Sequence, residues 1–257
     1  MSVQRIYRPG LLQESNQEEL ESEDYHYIRN VLRLKTGDRL VLFDGRGIEA
    51  QAVIHSYGKN SVLVDITATD RIKDDKPPLI LAQSLPKDNK MDLIVQKATE
   101  LGAASIIPFT SARSIPRLTS DKAAARVRRW GKIASEAAKQ CGSASVPSVS
   151  DILSFRDMLG VAPGNSIKLF FWEEETRQGI EDVLHGKNGY NHSPFFIVVG
   201  PEGGFSRDEA DEARACGFLT THLGKRILRV ETASLVILSI IQYKRGSMRL
   251  DGKQKGV

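Results

Sequence analysis

The chain has 257 residues, of which 40% are apolar and 26% charged, a composition typical of globular rather than disordered proteins. Its two cysteines lack a CxxC spacing and its five histidines lack metal-ligand spacing, which argues against a metal enzyme and fits a reducing compartment. The longest apolar run, near 235–241, is too short to cross a bilayer, and no charged-then-apolar leader opens the chain. We therefore expect a cytoplasmic protein without a membrane or metal partner.

The first 72 residues predict a small β-rich unit. Apolar residues in "EDYHYIRNVLRL" follow helical spacing, and "DRLVLFDG" and "IEAQAVIHS" are strand candidates on either side of "GRG", a hairpin signal. "NSVLVDITAT" predicts a third strand. The charged segment "RIKDDKPP" ends in two prolines and is a plausible linker.

From residue 77 to residue 247 the pattern predicts alternating strands and helices. Such alternation is typical of a parallel α/β sheet. The last residues, 248–257, predict a frayed basic tail. The predicted strands are "LILAQS", "SIIPFT", "IKLFFW", "FFIVVG" and "TTHL", and the predicted helices are "NKMDLIVQKATELG", "SDKAAARVRRWGKIASEAAKQCG", the run ending at Gly217, and "ETASLVILSIIQYK".

Basic residues are concentrated in one segment of a chain whose net charge is +4. Between Ser111 and Pro147 there are eight lysines or arginines against two acids. This excess favours contact with phosphate groups, although a solvated helix face is the alternative. The basic residues are Arg113, Arg117, Lys122, Arg126, Arg128, Arg129, Lys132 and Lys139.

The stretch "FFIVVGPEGGFSRDEADEARACGF" places glycines between a predicted strand and a predicted helix, as phosphate loops do. It nevertheless fails both phosphate templates, because Phe205 stands where a Walker A loop needs glycine and Glu202 where GxGxxG needs it. Ser206 and Glu209 form a capping box that already places a carboxylate at the helix start. The loop therefore predicts either exposed backbone groups for a flat polar ligand such as adenine, or a plain tight turn.

A second stretch, "HLGKRILRVETA", has the same form of strand, glycine, basic residues and helix start. Two such loops favour the ligand interpretation over a plain turn. We expect them at neighbouring strand ends, since the carboxyl ends of parallel strands are where α/β sheets bind ligands.

Four segments in this order, "LPKDNKMDLIVQKATELG", "RWGKIASEAAKQCG", "GPEGGFS" and "LGKRILRVETA", resemble the RsmE family of bacterial 16S ribosomal RNA uridine N3-methyltransferases, of the SPOUT class. The resemblance covers nearly the whole chain. It implies an N-terminal PUA-like RNA-binding β-barrel over 1–72 and a C-terminal SPOUT α/β domain with a trefoil knot over 77–247. It also implies S-adenosylmethionine as cofactor, a homodimer, and 16S rRNA in the small ribosomal subunit as partner.

The resemblance also implies a set of cofactor-binding residues, with Trp172 beside them. Two departures from the family pattern, Val230 and Ser143, remove a hydroxyl near the cofactor and a possible RNA or partner-subunit contact. A core role is the alternative for Phe171. The implied cofactor-binding residues are Phe171, Gly200, Glu202, Gly203, Gly204, Leu223, Gly224, Ile227 and Leu228.

Methylation of uracil N3 needs no covalent adduct, and the cysteines, expected at helix ends, are poor nucleophile candidates. Arg229 is the candidate to stabilise the uracil anion, and Glu231 or Glu202 could accept the proton or hold Arg229. A purely structural Arg–Glu pair is the alternative. The expected RNA-binding residues are Arg29, Arg33, Arg113, Arg129 and Lys132.

Two other functions remain open from the sequence. One is a tRNA ribose 2′-O-methyltransferase of the same class, which would not need the N-terminal unit. The other is a non-catalytic RNA-binding assembly factor, which need not bind S-adenosylmethionine.

Overall fold

The computed structural model describes residues 3–11, 16–72, 76–114, 118–185 and 193–247. The chain divides into two compact units, the first comprising Met1–Asp75 with Ser135–Val146 and the second comprising Lys76–Ala134 with Pro147–Val257. The sequence suggested one boundary at residues 72–77, which would put residues 135–146 in the second unit, whereas the structure groups them with the first. The predicted tail, 248–257, lies outside the described residues.

The first unit contains a five-stranded sheet with strand order β1-β3-β4-β5-β2. β1 and β3 are parallel, whereas the other pairs are antiparallel. The "GRG" hairpin and the third predicted strand are therefore confirmed, while β1 and β2 were not predicted. The strands are β1 (Gln4–Tyr7), β2 (Gln17–Glu21), β3 (Arg39–Phe43), β4 (Ile48–Tyr57) and β5 (Ser61–Arg71).

Alternation of apolar residues along these strands builds the core of the first unit, as expected for a sheet with one buried face. Ile6, Leu20, Leu42 and Val62 are among its fully buried members. β1 and β2 are the two edge strands of this sheet, and no strand pairing among the described residues joins them. Arg8 connects them by its side chain, which donates a 3.3 Å hydrogen bond to the carbonyl of Glu19.

The helix predicted within residues 23–34 is present in two parts. Helix α1 spans Ser22–His26, and a π-helix follows over Tyr27–Val31. Tyr25 and Ile28 are its buried side chains and join the core of the sheet.

The second unit is built on a seven-stranded sheet in which every strand pair is parallel, as the sequence predicted. The order is β12-β10-β11-β6-β7-β8, and β9 also pairs with β7. β8 and β9 were not predicted. The strands are β6 (Leu79–Ser84), β7 (Ser105–Thr110), β8 (Ser148–Val149), β9 (Leu153–Ser154), β10 (Ile167–Phe171), β11 (Phe195–Val199) and β12 (Leu219–Thr221).

The four predicted helices of this unit are present, with two short helices that were not predicted, α4 and α5. The long helix α3 ends at Cys141, and Gly142 follows with a positive φ of 79°, which suits a glycine helix stop. In the described part of the chain, no helix has the length and apolar composition needed to cross a membrane. The helices are α2 (Lys90–Glu100), α3 (Ser120–Cys141), α4 (Phe155–Gly160), α5 (Ile180–His185), α6 (Arg207–Ala215) and α7 (Val230–Lys244).

The two glycine loops leave the ends of β11 and β12, and the expectation that these strands are neighbours was wrong. β10 lies between them and pairs with both, Phe171 being opposite Val199 on one side and Thr221 on the other. Chain order cannot reveal such an insertion, because β10 precedes both strands. As a consequence, the residues after β10 lie between the two loops.

Candidate cofactor site

One cavity of about 510 Å³ lies at the carboxyl ends of β10, β11 and β12. All nine residues expected to bind a cofactor contribute to its wall, together with Arg229. Three loop segments thus converge on one space within the size range of small-molecule sites. The wall is formed by 171–173, 199–204 and 221–230, with Lys90 and Ala233.

Buried side chains of the core fix the backbone of the first glycine loop, residues 200–204. The Nε2 of Gln83, which is fully buried, donates to the carbonyls of Val199 at 3.4 Å and Gly200 at 3.3 Å. Phe205 is also fully buried, and a Cβ added to Gly200 would lie 3.0 Å from its ring. The loop backbone is therefore fixed against the core, and a side chain at Gly200 would require the Phe205 ring to shift.

The capping box predicted at the start of α6 is confirmed. The amide of Glu209 donates to Ser206 Oγ at 3.2 Å, and the amide of Ser206 donates to Glu209 Oε2 at 2.9 Å. The other oxygen of Glu209 accepts a 2.8 Å hydrogen bond from the amide of Ala112. The carboxylate occupies the helix start, so the loop is not an anion cradle there.

The second loop offers main-chain donors. The amide of Gly224, whose φ is 105°, donates to His222 Nδ1 at 2.9 Å and fixes the turn. In the part of the chain that the structure describes, the amides of residues 225–229 have no protein acceptor. Residues 225–227 and 229 are exposed and line the cavity, so these amides are open to water and to the polar edge of a ligand.

The segment after β10 closes the cavity between the loops. Phe171 and Trp172 are both buried and both line the cavity, so Phe171 belongs to the core as well as to the cavity wall. The indole Nε1 of Trp172 donates to the carbonyl of Phe205 at 3.3 Å and joins this segment to the first loop. Glu173, which the sequence did not single out, also lines the cavity.

Lys90, another residue that the sequence did not single out, lies between two carboxylates. Its Nζ is 2.7 Å from Glu202 Oε1 and 3.8 Å from Glu231 Oε2. Among the described residues, no ion pair joins Arg229 to either glutamate, so the expected Arg–Glu pair is replaced by the pairs with Lys90. The buried Oε2 of Glu231 has no hydrogen-bond partner within the described chain.

The pKa directions follow from this arrangement. The hydrogen bond to Glu202 raises the pKa of Lys90. Burial works to raise the pKa of Glu202, but hydrogen bonds from Lys90 and from the amides of Lys87 and of Glu202 itself outweigh it, and the net pKa is lowered. The pair is therefore ionised at neutral pH.

The expected RNA-binding residues are all exposed but differ in their contacts. Arg29 donates to the hydroxyl of Tyr25 and lies over the ring of Tyr57. Arg129 binds Asp92 through two donors, at 3.0 and 2.7 Å. Arg113 lies at the first loop, where its Nη1 donates to the carbonyl of Gly203 at 2.9 Å. The remaining two are Arg33 and Lys132.

Comparison with known proteins identifies the group to which the chain belongs. A family model described as RNA methyltransferase domain matches residues 74–242, and one described as RNA methyltransferase PUA domain matches residues 20–67. A Bacillus subtilis protein named ribosomal RNA small subunit methyltransferase E is 36% identical over 232 residues, covering 89% of this chain and 91% of that protein. The chain belongs to the ribosomal RNA small subunit methyltransferase E family.

Other members of the methyltransferase E family are similar to this chain over nearly its full length. The Rickettsia conorii protein of that name is 32% identical and covers 94% of this chain and 96% of its own length. The crystal structure of the Neisseria gonorrhoeae protein of that name, bound to S-adenosyl methionine, superposes with a TM-score of 0.82 at 32% identity, covering 94% of this chain and 97% of that one. Within the described residues, no group of three His, Cys, Asp or Glu side chains could hold a metal ion.

Proposed function

We propose that this chain transfers a methyl group from S-adenosylmethionine to N3 of a uridine in the RNA of the small ribosomal subunit. The observation that carries the proposal is the single cavity into which both glycine loops and the segment after β10 open. Membership of the ribosomal RNA small subunit methyltransferase E family supports the reaction class.

The residues present fit S-adenosylmethionine. The cavity has the volume of a small-molecule site, and the amides of residues 225–229 can donate to the edge of an adenine ring. Glycines at 200, 203 and 204 allow the backbone to approach the ligand closely. When bound, the cofactor supplies an electrophilic methyl group on a sulfonium.

The protein's contribution is to position the base and stabilise its charge. Arg229 lines the cavity without an ion pair among the described residues, so its guanidinium can donate to a uracil oxygen as N3 loses its proton. Glu231 is the candidate to accept that proton, because its buried Oε2 has no hydrogen-bond partner among the described residues. Glu202, which Lys90 and the Lys87 amide engage, has the structural role.

RNA binding is assigned to the exposed basic residues Arg29 and Arg33 of the first unit and Arg113, Arg129 and Lys132 of the second. Contacts with phosphates would hold the RNA, while the target base leaves its stack to reach the cavity. The match of the first unit to an RNA methyltransferase PUA domain supports this division of labour.

The proposal includes a trefoil knot in the second unit, a homodimer and a cytoplasmic location. The resemblance of the four sequence segments to SPOUT methyltransferases supports the knot. The exposed side chains of Leu93 on α2 and Tyr243 on α7 support a protein contact at the final helix. Sedimentation of the purified protein tests the dimer.

The decisive experiment incubates the protein with labelled S-adenosylmethionine and small subunits purified from a strain that lacks it, followed by nucleoside analysis. We expect label in 3-methyluridine and, for Arg229→Ala with unchanged cofactor affinity, a loss of about 10²-fold in turnover. Label in a 2′-O-methylated ribose would indicate the alternative methyltransferase. RNA binding without S-adenosylmethionine binding would indicate an assembly factor.

A further inference from the structure

Glu173 is a cavity residue that the proposed reaction does not use. It follows Trp172 at the end of β10, and 35% of its side chain is exposed. Its carboxylate lies directly against Gly204, where an added Cβ would be 1.5 Å from Oε1. In the described part of the chain, no group donates a hydrogen bond to this carboxylate, whereas Glu202 in the same wall is engaged by Lys90.

Arg113 lies against the same loop, next to Gly203. Its Nη1 donates to the carbonyl of Gly203 at 2.9 Å, and 48% of its side chain is exposed. The distance from Nη1 to Glu173 Oε1 is 3.9 Å, beyond hydrogen-bond range. A guanidinium and a carboxylate therefore stand side by side at the first loop, with hydrogen-bonding capacity that they do not use on each other.

This arrangement is complementary to an α-amino acid group, which carries an ammonium and a carboxylate on one carbon. We propose that Glu173 accepts hydrogen bonds from the α-ammonium of S-adenosylmethionine and that Arg113 donates to its α-carboxylate. Charge-assisted hydrogen bonds of this kind are short and strong, and paired charges fix orientation. The inference rests on the proposed function, and it moves Arg113 from RNA contact to cofactor binding.

Three ligands separate this role from others. S-adenosylmethionine has the amino acid group and the sulfonium charge, S-adenosylhomocysteine has only the amino acid group, and 5′-methylthioadenosine has neither. Isothermal titration with Glu173→Gln should show about tenfold weaker binding of the first two and unchanged binding of the third. Arg113→Met should show the same pattern.

Glu174→Gln is the matched control. Glu174 is the next residue, pairs with Arg207 at 3.0 Å and does not line the cavity. Its substitution should leave all three affinities unchanged. Weaker binding of S-adenosylmethionine alone in Glu173→Gln would place the sulfonium against Glu173 and overturn the proposal, as would an equal loss for 5′-methylthioadenosine.

A backbone variant tests the same contact without touching either charge. Gly204 has a φ of 66°, and a methyl group there must displace the Glu173 carboxylate. Gly217 has a φ of 83° with nothing within 4 Å of an added Cβ, so Gly217→Ala carries similar backbone strain and no displacement. Gly204→Ala should weaken the binding of S-adenosylhomocysteine and leave that of 5′-methylthioadenosine unchanged, whereas Gly217→Ala should change neither. Equal losses for the two ligands in Gly204→Ala would overturn the proposal.

The wild-type titrations keep the two proposals distinct. A protein that binds none of the three ligands would contradict the proposed function itself. A protein that binds all three normally in Glu173→Gln and Arg113→Met would retain that function and lose only this assignment.

Discussion

Lys90 shows how one side chain can couple two loops that are distant in sequence. Its ammonium is bonded to Glu202 in the first loop and faces Glu231 at the end of the second. With Lys90 removed, the half-buried carboxylates of Glu202, in the cavity wall, and of Glu231 would lose the cation between them. Since unpaired charges are costly where water is partly excluded, the loops would be expected to separate.

Lys90→Met should therefore weaken S-adenosylmethionine binding by about tenfold. Lys87→Met is the matched control, because it removes the same charge nearby and keeps the backbone amide that donates to Glu202. Calorimetric titration of both variants measures the difference. Equal losses would mean that net charge, rather than the position of Lys90, sets the affinity.

At the scale of single residues, the sequence indicated the two glycine loops but not the side chains from other elements that contact them. The glycines, Leu223 and Leu228 carry a local pattern that can be recognised in consecutive letters. Lys90 and Glu173 carry none, because each reaches the cavity from a different element and meets its partners only in the folded sheet. A lysine at a helix start and a glutamate in an acidic run look like ordinary surface residues.

At the scale of elements, the turn after β10 is fixed by one carboxylate. Glu175, 9% exposed at its side chain, accepts hydrogen bonds from Thr220 at 2.6 Å, Arg214 at 3.2 Å and the amides of Thr176 and Arg177. Arg214 also lies over the ring of Trp172. The network joins β12, α6 and the segment that carries Glu173.

Burial works to raise the pKa of Glu175, but the hydrogen bonds from Thr220, Arg177, Arg214 and Thr176 outweigh it and lower the pKa to about 2, from 4.5. The unfolded chain takes up this proton first as the pH falls. The stabilisation is therefore complete above pH 4.5 and is lost between pH 4.5 and about 2.

Glu175→Gln should lower the free energy of unfolding at pH 7 by about 1 to 2 kcal/mol, allowing for solvent screening, and flatten its decline below pH 4.5. Denaturant titrations at several pH values measure both effects. Glu181→Gln is the control, since Glu181 is exposed in α5. A variant that keeps the wild-type acid profile would contradict the role of Glu175.

The long, strongly periodic elements were predictable, and the short ones were not. β2, with the sequence QEELE, buries only Leu20, and β8 and β9 have two residues each, so neither gives a usable period. Their strand conformation comes from pairing with distant partners rather than from local preference. The capping box was predictable because both of its hydrogen bonds are local.

At the scale of the whole molecule, one group of charged residues lies at the cofactor cavity and another is assigned to RNA binding. Lys90 and Arg113 lie next to glutamates of the cavity wall, whereas Arg29 and Arg33 are exposed residues of the first unit. RNA affinity should therefore depend steeply on salt through counterion release, and cofactor affinity should not.

Arg33→Gln should reduce the slope of log affinity against log salt for a ribosomal RNA fragment by about 0.7 to 0.9, the loss of one phosphate contact. Arg156→Gln removes the same charge from an exposed arginine paired with Glu212 and should leave the slope unchanged. Fluorescence anisotropy between about 50 and 200 mM salt measures both. An unchanged slope in Arg33→Gln would remove this residue from the RNA surface.

The sequence predicted a parallel sheet but not its strand order, because alternation of strands and helices is compatible with many orders. The feature of the strand order that determines the site is the position of β10 between β11 and β12. It gives the cavity its third wall, which chain order alone does not indicate.

The central place of β6 also constrains how the protein is made. β7 reaches β6 early in synthesis, but the other edge of β6 receives β11 only when Phe195–Val199 have left the ribosome. A nascent chain arrested before that point exposes an open, apolar strand edge, the kind that associates with other chains. The methyl donor cannot rescue it, because a ligand stabilises only the state that already has its binding walls.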